Sequence, residues 1–79
     1  MKYSEQKYRL VYLDISSKTT GENVHEVIGI LGRIISAISF TNEPKMTEER
    51  RNYWSSRIPE FVKELNDFGF VVSVEDFQE

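Results

Sequence analysis

Between Val24 and Ile38 apolar residues recur at steps of three and four: Val24, Val27, Ile28, Leu31, Ile34, Ile35 and Ile38 share one stripe. That spacing predicts an amphipathic helix from Glu22 to Ser39, the element with the most aliphatic volume in one register. Two starts fit it, Thr19 with Glu22 and Asn23 with Glu26, both at capping-box spacing. Gly29, Gly32, Ser36 and Ser39 add a stripe of small residues along the same helix. An interior glycine costs about 1 kcal/mol relative to alanine, so close approach of a strand or another helix is the expected compensation. The β-branched stretch Ile34 to Thr41 also fits a strand, with the helix then ending near Gly32.

On the N-terminal side, Tyr8 to Ile15 is rich in aromatic and branched residues and reads as a strand. Arg9, Val11, Leu13 and Ile15 would form one face and Tyr8, Leu10 and Tyr12 the other. Residues 1–6 are polar and expected to fray. After the loop Thr41 to Met46, Thr47 is a good N-cap, with Glu48 and Glu49 suited to the positive end of the helix dipole. Trp54, Ile58, Phe61, Leu65 and Phe68 then keep helical register through Pro59, which should kink or split the helix. Gly69 fits a left-handed C′ position, setting Phe70 against Leu65. Phe70 to Val74 reads as a final strand. The expected architecture is α+β: one domain over residues 1–79, with two helices on one face of a small antiparallel sheet of two or three strands, order β-α-α-β. With Ile34 to Thr41 as a strand, the arrangement becomes a truncated ferredoxin-like one.

Composition narrows the function classes. A chain of 79 residues buries about 60–65% of its unfolded surface, so a partner or second copy could add needed stability. No cysteine is present, which excludes disulfides, thiolate metal sites and a cysteine nucleophile. The N-terminus lacks the apolar run of a signal peptide, and the longest apolar run is interrupted by Arg33 and judged too short to span a bilayer. A cytoplasmic setting is expected. The net charge of −3 argues against broad nucleic-acid affinity, although residues 44–59 carry a balance of +2 and residues 60–79 one of −5.

The chemical inventory is thin. His25 is the sole histidine, and Glu60, Glu64 and Asp67 share a helix face with Lys63 beside them, the pattern of a solvated face. No phosphate loop, zinc motif or nucleophile elbow is present, so no catalytic residue, metal or cofactor is assigned. Two groups fit partner binding. Arg50, Tyr53 and Arg57 lie at steps of three and four beside Trp54, so two guanidiniums can flank a ring and meet a phosphate, a base or an acidic protein patch. The alternative pairs the arginines with Glu49, Glu60 or the acidic tail. Tyr8, Leu10 and Tyr12 would leave an exposed apolar face for a second copy or a target protein.

Three function classes follow. The favoured one is a non-enzymatic protein-binding module, such as an inhibitor, adaptor or regulatory subunit of a phage or other mobile element. The others are a nucleic-acid- or phosphate-binding protein using the Arg50–Arg57 segment, and a small oligomeric enzyme with a site shared between subunits.

Overall fold

Three helices carry the fold in the computed structural model of the chain, which describes residues 2–79: α1 (Glu5–Lys18), α2 (Val24–Asn42) and α3 (Glu48–Asp67). Single 3-10 turns cover Gly21–Asn23 and Val74–Phe77. Among the described residues there is no strand, and the β pairing is one antiparallel bridge between Tyr3 and Gln78. The expected α+β sheet, in order β-α-α-β, is therefore corrected to an all-helical fold.

Each misassigned segment has a physical reason. Residues 8–15 satisfy two periods at once. The strand reading leaves both faces apolar, whereas the helix gathers Tyr8, Val11, Tyr12 and Ile15 along one stripe. Local bonds favour the helix. The Ser4 side chain accepts from Lys7 N at 3.2 Å, Glu5 occupies the first turn, and Lys18 pairs with Asp14 at 3.1 Å. Residues 2–4 are held too: Ser4 N donates to the Phe77 carbonyl at 2.8 Å and Glu79 N to that of Lys2 at 3.0 Å.

Ile34 to Thr41 is helix, because α2 continues to Asn42 and buries Ile34, Ala37 and Ile38 on its inner side. It begins at Val24, after the 3-10 turn, without a side-chain cap from Asn23. Phe70 to Val74 finds no strand to pair with. Instead, the Asn66 side-chain amide donates to the carbonyls of Phe70 and Val72, each at 2.9 Å. The Asp76 carboxylate then accepts from Ser73 N at 2.9 Å and turns the chain into the last 3-10 element.

The α2–α3 hairpin holds most of the core. Val27, Ile30, Leu31, Ile34, Ala37 and Ile38 face Ile58, Phe61, Val62 and Leu65, and every fully buried side chain among the described residues is apolar. At about 25 cal/mol per Å² of apolar surface, this shared interface is the main source of stability. Thr47 caps α3 through Arg50 N at 3.3 Å. The helix runs through Pro59 to a Schellman ending, with Gly69 at φ 95° and bonds from Phe70 N to Leu65 O and Gly69 N to Asn66 O. Helix α1 docks on α2, and the C-terminal turn closes against α1 and α3, burying Phe77 beside Tyr8.

Two expectations about α2 need correction. The small-residue stripe is not a close-approach surface: a Cβ at Gly29 or Gly32 would meet nothing within 4 Å. Helices α1 and α3 leave Gly29, Gly32 and Ser36 exposed, while Ser39 at the end of the stripe donates to Glu5 Oε1 of α1 at 3.3 Å. The apolar stretch is also longer than the position of Arg33 suggested. The 22 residues Gly21–Asn42 are long and apolar enough to cross a membrane by length and composition. In this fold their aliphatic stripe packs on α3.

Candidate functional site

A five-residue turn between α2 and α3 places the end of one helix beside the first two turns of the other. Phe40 comes from α2, Met46 from the turn, and Glu49, Arg50, Tyr53 and Trp54 from α3. Together they line an open hollow of about 770 Å³. Trp54 is its centre. Its ring lies 4.9 Å from that of Phe40, tilted by 40°, and 5.2 Å from that of Tyr53, nearly perpendicular at 81°. Both are favourable aromatic geometries. The packing half-buries Trp54 while Phe40 remains 38% and Tyr53 52% exposed. Arg50 is exposed at the edge, and no carboxylate lies within ion-pair distance of it among the described residues.

Arg57 plays a different part from Arg50. Its guanidinium carbon lies 5.9 Å from the Tyr53 ring centre and 5.4 Å from that of Phe61. Nε sits 3.2 Å from Glu60 Oε2, close enough for charge attraction but off the line of a hydrogen bond. Arg57 is thus occupied by intramolecular partners, as the alternative reading of this cluster held. Arg50 remains available, as does the exposed part of Tyr53, whose hydroxyl accepts from Arg57 Nη1 at 3.5 Å. Glu64 pairs loosely with Arg33 at 3.8 Å, so the carboxylate face of α3 is partly spanned by cations.

The structure does not bring Tyr8, Leu10 and Tyr12 together as one face, because a helix turns successive side chains by about 100°. Tyr8 points into the core at 6% exposure, and its hydroxyl donates to the Leu31 carbonyl at 2.8 Å. Burial, with a smaller effect of Tyr12, pushes the Tyr8 phenol up to about 12. Tyr12 packs at 6.0 Å from Tyr8 and keeps one edge in solvent. Leu10 points outward, 66% exposed, into a groove between α1 and residues 69–76. The expected face is thus replaced by one core residue, one partly covered ring and one exposed leucine.

No protein-family model, curated protein or solved structure matches the chain. The site therefore rests on geometry alone. Its rings offer flat apolar area, and Arg50 offers a planar fork of donors. Such a combination has the chemistry to meet an apolar anchor beside a negative charge, with Glu49 on the same rim. Phe40 and Met46 are not among the site residues that the sequence predicts. The short turn carries the signal for them, since five residues between antiparallel helices force position 40 towards position 54.

Proposed function

We propose that this chain is a non-enzymatic protein-binding module, acting in an intracellular setting, whose aromatic hollow takes an acidic segment of another protein. The observation that carries the reading is the unpaired Arg50 guanidinium beside the exposed rings of Phe40 and Tyr53. A carboxylate on the partner completes the charge, and an aromatic or branched side chain fills the apolar floor. Nucleic acid is the second reading, because exposed rings next to a guanidinium also suit a stacked base and its phosphate. The net charge of −3 weighs more against it than against a short acidic segment, since a polyanion meets the repulsive overall field at every phosphate.

Panning a random peptide display library against the chain separates the two readings. Enrichment of peptides with Asp or Glu next to an apolar residue is expected. Their affinity should weaken with salt and fall about tenfold in Arg50→Glu, the equivalent of about 1.4 kcal/mol. The fold should survive, because Arg50 is exposed. Binding of a single-stranded oligonucleotide that Arg50→Glu abolishes would transfer the site to the second reading. Enriched peptides indifferent to Arg50 and Tyr53 would contradict both.

A further inference from the structure

The groove beside α1 carries a feature that the aromatic hollow lacks, an open piece of main chain. Val71 is fully exposed, and neither its N–H nor its C=O has a hydrogen-bond partner among the described residues. Most polar groups of the flanking residues are engaged, the Val72 N–H and the Gly69 carbonyl being the exceptions. Phe70 N donates to Leu65 O at 3.2 Å, while the Phe70 and Val72 carbonyls both accept from Asn66 Nδ2. In extended chain alternate residues present their polar groups to opposite edges. With residues 70 and 72 turned towards Asn66, those of Val71 face away from it. Leu10 and Val71 line the same groove, of about 610 Å³, with Val11, Ile15 and Phe70 forming its apolar wall.

We infer that this edge is a self-association site, where Val71 of one copy pairs antiparallel with Val71 of a second copy about a two-fold axis. In an antiparallel ladder, two directly opposed residues exchange both of their N–H···O bonds. A two-fold axis makes those residues identical, and Val71 has both groups free on one side. The length of the edge selects the occupant. The next rungs would use residues 69 and 73, but Gly69 N is bound to Asn66 O and Ser73 N to Asp76 Oδ2, both at 2.9 Å. A long strand from another protein finds one rung and then closed groups. A second copy of this chain offers one rung in return. Charge agrees with this choice. The groove carries Lys7 and the mutually paired Asp14 and Lys18 on the α1 side and Glu75 and Asp76 on the C-terminal side, so two copies can set unlike charges together where a rim of one sign would repel its copy.

Two main-chain bonds and a few exposed side chains make a small interface, so a weak dimer is expected, dissociating in the micromolar range or above. Sedimentation velocity of the full chain, from low micromolar to near-millimolar concentration, should show monomer passing to dimer and no larger species. Amide exchange at Val71 should slow over the same range while that of exposed amides elsewhere does not. Val71→Asp places two like charges at the axis and should weaken the dimer at least tenfold. Because residue 71 is fully exposed, the variant's far-ultraviolet spectrum and melting curve at low concentration should match the parent's. A chain monomeric throughout, a Val71 amide indifferent to concentration, or a dimer untouched by Val71→Asp overturns the inference. None of these results bears on the aromatic hollow, which shares no lining residue with this groove.

Discussion

The hollow at the α2–α3 turn and the groove beside α1 both expose apolar area, but they are built from different parts. Three rings and a guanidinium make the hollow. Mostly aliphatic side chains, with Phe70, and one free N–H and C=O pair make the groove. Side chains of that kind discriminate among partners by shape and charge. Main-chain groups read no sequence, only an extended edge at the right distance. On the two proposals above, selectivity for a target belongs to the hollow and association of like copies to the groove. The supports differ as well. Two long helices set the hollow through tight packing, whereas the groove has as one wall a segment held by Asn66 and Asp76.

The largest effect expected removes both regions together. Leu31 is fully buried at the centre of α2, and Leu31→Ala should cost about 2–5 kcal/mol. A domain this small has roughly 3–5 kcal/mol to lose. Circular dichroism should show a chain largely unfolded at room temperature, or one melting at least about 10 °C lower.

Asn66→Ala should separate the two regions. Its amide holds the Phe70 and Val72 carbonyls, which water can solvate in its absence, so a loss of about 1 kcal/mol is expected. The C-terminal segment should become protease-sensitive and the dimer weaker, with peptide affinity at the hollow unchanged. Equal losses at both surfaces would mean that they form one cooperative unit.

How much of this was legible in the sequence differs between the two regions for a related reason. Helices α2 and α3 announce themselves locally: branched residues step by three and four, Thr47 caps, and Gly69 ends the helix. Arg50 and Tyr53 could be singled out because they lie one turn apart on α3. Phe40 could not, because its approach to Trp54 exists only once the hairpin closes. Around the groove the local signals misled. Val11 and Ile15 fit a strand face as well as a helix stripe, and the capping role of Ser4 was hidden in a segment read as frayed. Phe70 to Val74 has strand composition, but a strand needs a partner, and whether one exists is a non-local fact. The free edge at Val71 is what remains of that unmet preference.

Tyr8→Phe tests the smallest effect, the bond that ties α1 to α2. Loss of the hydrogen bond to Leu31 O should cost about 1 kcal/mol and leave both surfaces in place. It also changes the alkaline limit. Below about pH 10, the ordinary tyrosine value, Tyr8 is neutral in both folded and unfolded chains and contributes no pH dependence. From there to about 12 the unfolded chain loses that proton while the folded chain keeps it, so stability falls as pH rises. Urea titrations across this window should show a shallower fall for Tyr8→Phe than for the parent chain.

The division of labour is tested most directly by amide NMR on one labelled sample, first diluted and then titrated with an acidic peptide from the display experiment. Dilution should shift the signals of residues 69–73 and of Leu10, and the peptide should shift those of Phe40 and residues 46–54. Two separate sets of residues are the predicted result. Signals that move together in both experiments, or a peptide that acts at residues 69–73, would contradict the account.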